Sequence, residues 1–441
     1  MSNIRDSFHS RIGFVLAAAG SAIGLGNIWG FPTQAANNGG GAFLFVYLIV
    51  TILLAFPALY AEVYIGNQAQ KNPVSALEDA CKNTVPNLGK YAGLIGLCGA
   101  IMMLSFYTIV AGWMLSHAIS PMAELLGYHE TSQWLATSST LRNLMFTPIF
   151  ILLGAAIIHQ GVNAGIEKWS ARLMPVLLIM LVSLIIYILQ QPGAEKGLRT
   201  YLIPDFTQVT NPKLIISAMG QAFFSLSIGV GGMMIYGSYM KKDRDIGKLA
   251  ISITALDTFI ALLIIPALYV AEAAGQQVFQ GDKLIGEGQL IFNILPELFN
   301  SMGNIGMLVS ISFFSLLSIA ALTSTISSTE VPVAYLVEDK KFTRHKATWL
   351  VSAIVLAASM TLIAFFDSLF GLVIRLLTTI LQPLSCLFYF IVVGWLWKRG
   401  NKLRDVSLQE GRKWLPIWGN YLRFVCPLLL TIVFINVAIL N

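Results

Sequence analysis

Two short stretches decide how this chain folds: Ala22-Ile23-Gly24-Leu25-Gly26-Asn27 and Ser227-Ile228-Gly229-Val230-Gly231-Gly232. Each lies in the middle of a long apolar run, and each reads Ile-Gly-x-Gly. A glycine inside a helix costs about 1 kcal/mol against alanine, so a close pair favours unwinding. Unwound backbone inside a membrane must be satisfied by protein, ions or ligand. Glycines that merely let helices pack closely would explain one such pair. Two pairs at matching places, five spans apart, point instead to an inverted repeat with a ligand site at its midplane.

The rest of the chain supports a membrane setting. Of its 441 residues, 56% are hydrophobic and 11% charged, and the mean hydropathy is +0.72. Soluble globular chains carry roughly 25% charged residues. The apolar runs are long enough to cross a bilayer as helices, which takes about 20 residues. A barrel would show shorter alternating segments. The chain therefore reads as an all-α polytopic membrane protein of eleven spans. They cover 12–36, 41–69, 91–121, 144–161, 168–190, 213–239, 248–273, 304–337, 347–366, 369–397 and 418–440. Residues 1–441 form one transmembrane domain, with inverted five-plus-five repeats over about 12–190 and 213–397 and an extra span at 418–440.

The net charge of +6 is topological. Basic residues cluster in short connectors after even-numbered spans: Lys241, Lys242, Arg244 and Lys248; Lys340, Lys341, Arg344 and Lys346; Lys398, Arg399, Lys402 and Arg404. The positive-inside bias puts these in the cytoplasm, with the N-terminus, and puts Asn441 outside. The expected location is the cell's inner (plasma) membrane. No nucleic-acid partner follows from this charge, and no oligomeric state can be read. Cys81, Cys98, Cys386 and Cys426 show no metal-ligand spacing, and three of them lie in apolar runs as small hydrophobes. The first apolar stretch runs straight into the glycine-rich segment, unlike a cleavable signal peptide. The outer connector 274–303 is long and contains LIFNILPELF, which reads as a short helical lid.

At this point the residues resemble a family. The stretch from Arg11 through Gly20, Ala22, Gly24, Gly26, Asn27, Ile28, Trp29, Gly30, Phe31 and Pro32 to Asn38-Gly-Gly-Gly-Ala-Phe43 is similar to the first-span signature of the neurotransmitter:sodium symporters. Tyr107 and Trp113 in span 3, Gly220-Gln221-Ala-Phe-Phe-Ser225-Leu-Ser227 in span 6, and Ala320-Ala-Leu-Thr323-Ser324 in span 8 extend the match. The eleven spans resemble its bacterial branch.

The resemblance implies sodium-coupled symport of a small amino acid-like substrate, with two sodium ions. One ion would sit on the carbonyls of Gly20, Ile23 and Ala320 and the hydroxyls of Thr323 and Ser324. The second would use the Ala22 carbonyl, Asn27, Ser225 and span 7, where Asp257 replaces the family's usual Asn. Ala261 stands where some bacterial members carry a glutamate. Asp257, with Tyr47 and Gln221 near it, would then supply the negative charge itself, so no chloride is expected. The substrate carboxylate would meet the amides of Leu25 and Gly26 and the Tyr107 hydroxyl. Its amine would meet the carbonyls of Ala22, Phe224 and Ser225 and the Ser227 hydroxyl. Gly24 stands where members that carry amines without a carboxylate have Asp. Met103, Phe224, Val230, Ser324 and Ser328 would form a mostly apolar pocket, which suits a hydrophobic or aromatic side chain. Ser328 also admits a polar-tipped one.

Two gates follow from the same resemblance. Gly30 replaces the outer-gate arginine. Arg375 in span 10 either takes the gate from the opposite side, contacts an acidic or unusual substrate, or snorkels to the surface. Arg5, Glu338 and Tyr239 match the cytoplasmic latch, and Glu62 matches a residue that props the unwound part of span 6. Glu330 has no counterpart. Three rival classes remain. A membrane enzyme is disfavoured because no HExxH, CxxC or nucleophile elbow appears. A sensor would lack transport, and a channel would lack saturable counterflow.

Overall fold

The computed structural model describes residues 11–196, 199, 203–242, 245–263, 279–280, 283–284, 290–402 and 415–440. Among them, eight helices are long and apolar enough to cross a membrane: Gly41–Ala69, Pro86–Leu125, Thr140–Ile158, Val162–Leu189, Gly303–Glu338, Arg344–Ala364, Phe366–Gly400 and Ile417–Ile435. These correspond to expected spans 2, 3, 4, 5, 8, 9, 10 and 11. Spans 1 and 6 are each interrupted, so neither is one long helix. Span 7 is described as the helix Ile246–Leu263, and the rest of its expected length lies outside the described residues.

Local chemistry sets the helix ends. Ser139 accepts from the Arg142 amide, Asn211 from Lys213 and Thr343 from Lys346, each capping a helix start. Asn72 caps a short helix, Pro73–Ala80, that the sequence reading left in a connector. The outer helix His129–Ala136 was likewise unread. The expected lid is helical over Leu290–Ile294 and Leu295–Ser301. Much of 274–289 lies outside the described residues, which hold a two-residue pairing of Phe279–Gln280 with Lys283–Leu284.

Spans 3 and 8 are the longest helices, at 40 and 36 residues. At 1.5 Å per residue they exceed the ~30 Å hydrocarbon core, so they lean across it or project from it. They pack on each other, and span 8 also packs on the first half of span 1. The outward faces of the bundle carry Ile52, Ile179, Leu308 and Leu428, all exposed. Such a surface is stable only against lipid.

The breaks are where the sequence placed them. The first half of span 1, Arg11–Ala22, stops before Gly24, and helix resumes at Gly26–Gly30 and Phe31–Asn37. Span 6 is Pro212–Ser225 and then Gly232–Ser238. Between its halves, Gly229 and Gly231 adopt φ of 88° and 85°. An L side chain there is strained. At Gly229 it would also meet neighbours, since a Cβ would lie 2.7 Å from the Gln382 carbonyl oxygen. Gly303 has φ 64° with nothing within 4 Å. Gly229→Ala should therefore lower the melting temperature in detergent clearly more than Gly303→Ala, which carries only the backbone cost of about 1–2 kcal/mol. Equal shifts would show that the Gln382 backbone yields to the added methyl.

Candidate functional site

The two breaks face each other at the centre of the molecule. The gap in span 6 is held from both sides. The Glu62 carboxylate, fully buried, accepts from the Gly229 amide at 2.8 Å and the Met234 amide at 3.3 Å. Gln382, also fully buried, donates its amide to the Ile228 carbonyl at 3.0 Å. Freed donors and freed acceptors are thus met by separate side chains. Gln382 was not read from the sequence, although a lone amide in an apolar span was a usable signal.

The last carbonyls of a helix have no partner within it. Ile23 N–H still reaches the Ala19 carbonyl at 2.7 Å, which leaves Gly20, Ser21 and Ala22 at the negative end of the half-helix. Ser324 Oγ lies 3.3 Å from the Gly20 oxygen and 3.1 Å from that of Ser21. Thr323 donates to the Ala320 carbonyl at 2.9 Å, and a Cβ on Gly20 would lie 3.2 Å from Thr323 Cβ. Gly20, Ala320, Thr323 and Ser324 therefore converge between spans 1 and 8. Ile23 lies just past the helix end.

On the other side of span 1, three of the expected ligands of the second ion meet. Asn27 Nδ2 donates to Asp257 Oδ1 and to the Asp257 carbonyl, both at 2.8 Å. Ser225 donates to the same carboxylate at 2.9 and 3.1 Å. Asp257 is fully buried, and its hydrogen-bond partners here, Asn27 and Ser225, are neutral. The Asn27 oxygen accepts from the Gly24 amide at 3.3 Å. A cation between them therefore requires that amide to turn its oxygen inward. Gln221 donates to the Gly26 carbonyl at 2.7 Å. Tyr47 is fully buried beside Asp257.

The expected substrate residues line the same centre. Tyr107 accepts from the Leu25 amide at 3.1 Å. A Cβ on Gly24 would sit 2.5 Å from both the Tyr107 hydroxyl and Ser324 Oγ, so position 24 has no room for a side chain. A Cβ on Gly26 would sit 3.0 Å from Ser225 Cα. Met103 Sδ is 4.0 Å from the Ser328 hydroxyl, and Val230 is fully buried. Phe224 stacks on Phe106 with centroids 6.3 Å apart. Both rings floor a cavity of about 180 Å³ that Gly30, Gln34, Gln221 and Thr378 also line.

The Ser227 hydroxyl, expected on the substrate amine, donates to the Ser21 carbonyl at 2.9 Å, and its backbone has φ 51°. The Phe224 carbonyl accepts the Ser227 amide at 3.1 Å. The turn in span 6 thus uses both groups, and Ser21, which the sequence reading passed over, ties spans 1, 6 and 8 together. Arg375 does not reach Gly30: it is exposed, it forms no ion pair among the described residues, and Ile374 lines the cavity instead. On the side of the basic connectors, Glu330 and Arg344 join the expected latch residue Tyr239. Tyr239 donates to Glu330 at 2.6 Å, and Arg344 binds both oxygens of that carboxylate at 3.1 and 2.5 Å. Arg344 also donates to the Ile158 carbonyl at 2.9 Å. Glu338 accepts from the Asn72 amide and side chain at 2.8 and 3.0 Å. Arg5 lies outside the described residues.

Comparison with known proteins places this architecture. The model of the sodium:neurotransmitter symporter family matches residues 5–147 and 135–441. The uncharacterized sodium-dependent transporter YhdH of Bacillus subtilis is 32% identical, over 97% of this chain and 96% of its own. The sodium-dependent serotonin transporter of Drosophila melanogaster is 25% identical, over 98% of this chain and 76% of its own. Among solved structures, MhsT in complex with L-phenylalanine superimposes with a TM-score of 0.85 at 32% identity, covering 98% of this chain and 99% of that one. The chain belongs to the sodium:neurotransmitter symporter family.

Proposed function

We propose that this symporter takes up a hydrophobic or aromatic amino acid with two sodium ions and without chloride. The observation that carries the substrate class is the crowding at Gly24. No counter-ion for a bare amine fits there, so the ligand must bring its own carboxylate, and the Leu25 amide and Tyr107 hydroxyl stand ready for it. The apolar surroundings of Met103, Phe224 and Val230 favour an apolar side chain. The L-phenylalanine bound by MhsT supports the same class.

Asp257 supports the chloride-free reading. A buried carboxylate costs free energy unless a positive partner meets it, and sodium at Asn27, Ser225, Asp257 and the Ala22 carbonyl is that partner. The other ion belongs at Gly20, Ile23, Ala320, Thr323 and Ser324, where it bridges span 1 to span 8. Ions and substrate enter from outside through the cavity above Phe224, and the Tyr239–Glu330–Arg344 cluster holds the cytoplasmic side shut until they are bound. One charge moved through 100 mV is worth about 2.3 kcal/mol. Two ions therefore sustain roughly a 2,000-fold gradient of a neutral substrate from voltage alone. The plasma membrane with the N-terminus inside is the matching placement.

The test is uptake of labelled amino acids into liposomes under an inward sodium gradient, with chloride or with gluconate. Saturable uptake of phenylalanine-like substrates that is equal in the two anions is expected; dependence on chloride would overturn the role given to Asp257. Asp257→Asn should raise the sodium concentration for half-maximal substrate binding at least about tenfold, since a charge-assisted contact is worth roughly 1.5–3 kcal/mol. An unchanged sodium dependence would remove Asp257 from the ion site. Glu330→Gln should speed amide exchange across Gly232–Ser238 by about tenfold or more, because it loosens both Tyr239 and Arg344. Unchanged exchange there would show that Glu330 has no part in closing the inner side.

A further inference from the structure

Span 11 carries a charge that neither the ion sites nor the gates use. Arg423 lies inside the apolar helix Ile417–Ile435, and it forms no ion pair among the described residues. Its guanidinium stacks on Trp395 at 4.3 Å from the ring centroid and on Phe424 at 5.3 Å. Its Nε is buried without an acceptor among the described residues. The Trp395 indole donates to the Arg423 carbonyl at 3.0 Å, fixing the two helices side by side. Both rings remain open to the surroundings, Trp395 by 45% and Phe424 by 52%.

A cation at this depth must pair or reach the interface. Helical side chains lean toward the helix N-terminus, which here is the end beside the basic connector after span 10. That connector is unusually wound. Lys398, Arg399 and Gly400 adopt φ of 48°, 55° and 78° in succession. Consecutive left-handed residues that are not glycine persist only where the surroundings impose them. The turn brings Gly400 against the arginine: a Cβ on Gly400 would lie 3.5 Å from Arg423 Nη1. Lys402 is held over the Trp397 ring at 5.7 Å. The basic connector thus meets Arg423 at Gly400, at the end of an exposed aromatic surface.

We propose that the groove between spans 10 and 11 is a binding site for an anionic phospholipid of the leaflet on the side of the basic connectors. The planar guanidinium fork suits the two free oxygens of a phosphodiester. Arg399 and Lys402 add the charge that favours an anionic headgroup over a zwitterionic one. The open faces of Trp395 and Phe424 take the acyl chain. A free phosphate would use the charge and leave those rings uncovered, so the lipid is the occupant that accounts for both.

The full-length protein in mixed micelles of equimolar phosphatidylglycerol and phosphatidylcholine, examined by native mass spectrometry, provides the test. The wild type should retain phosphatidylglycerol about fivefold over phosphatidylcholine, and Arg423→Gln should bring the two to parity. Arg423→Lys, which keeps the charge but not the fork, should fall between them; together with Arg399→Gln it decides the matter should Arg423→Gln fail to fold. Added phosphatidylglycerol should raise the wild-type melting temperature, and inorganic phosphate at the same concentration should not. Undiminished preference in the Arg423 variants would overturn the proposal, as would a melting shift reproduced by inorganic phosphate.

Discussion

The whole structure depends on one constraint, that backbone opened inside an apolar medium must find partners. The chain opens two helices at its centre and then supplies those partners from elsewhere. Glu62 takes the amides of span 6, Gln382 takes a carbonyl, and Ser227 and Ser324 share the carbonyls of Gly20 and Ser21 at the end of the first half of span 1. The groups left facing the middle are those that an ion or a zwitterion satisfies. Binding thus completes a hydrogen-bonding account that folding leaves open.

The same economy links ligand to motion. Ser324 and Thr323 belong to span 8, Asn27 to span 1, Ser225 to span 6 and Asp257 to span 7. An ion held by two or more of them is a removable cross-link between helices. On the cytoplasmic side, Glu330 of span 8 performs a similar service with Tyr239 of span 6 and Arg344 at the start of span 9. One carboxylate there serves a neutral partner and a charged one, so the closed arrangement is cooperative: loosening either neighbour weakens the other's hold.

Much of this was legible in the sequence, and the failures have physical causes. The glycine pairs marked both breaks: Gly229 and Gly231 take backbone angles that other residues tolerate less cheaply, and Gly24 and Gly26 stand where neighbours crowd a Cβ. Asp257 was conspicuous as an acid in mid-span. Latch partners were harder. Glu330 and Glu338 lie on one helix just over two turns apart, hence on similar faces, and spacing cannot say which of them Tyr239 reaches. Arg344 approaches from beyond a turn whose course no local pattern fixes. Arg375 left three readings open, because a step along a helix rotates the side chain by about 100° and it is the neighbouring Ile374 that lines the cavity. Ser21 was hidden among small residues, where a hydroxyl adds no contrast.

The absence of a side chain at position 24 bears on how such a transporter changes over evolutionary time. The resemblance implies an aspartate there in members that carry amines without a carboxylate. In this chain the first atom of any such side chain would collide with the Tyr107 hydroxyl and Ser324 Oγ. A side chain gained at this position is therefore accommodated only as the tyrosine or the serine shifts, and each is also engaged in holding spans 1, 3 and 8 in register. Position 24 is thus tied to its neighbours, and change there is easiest when one of those two residues changes with it.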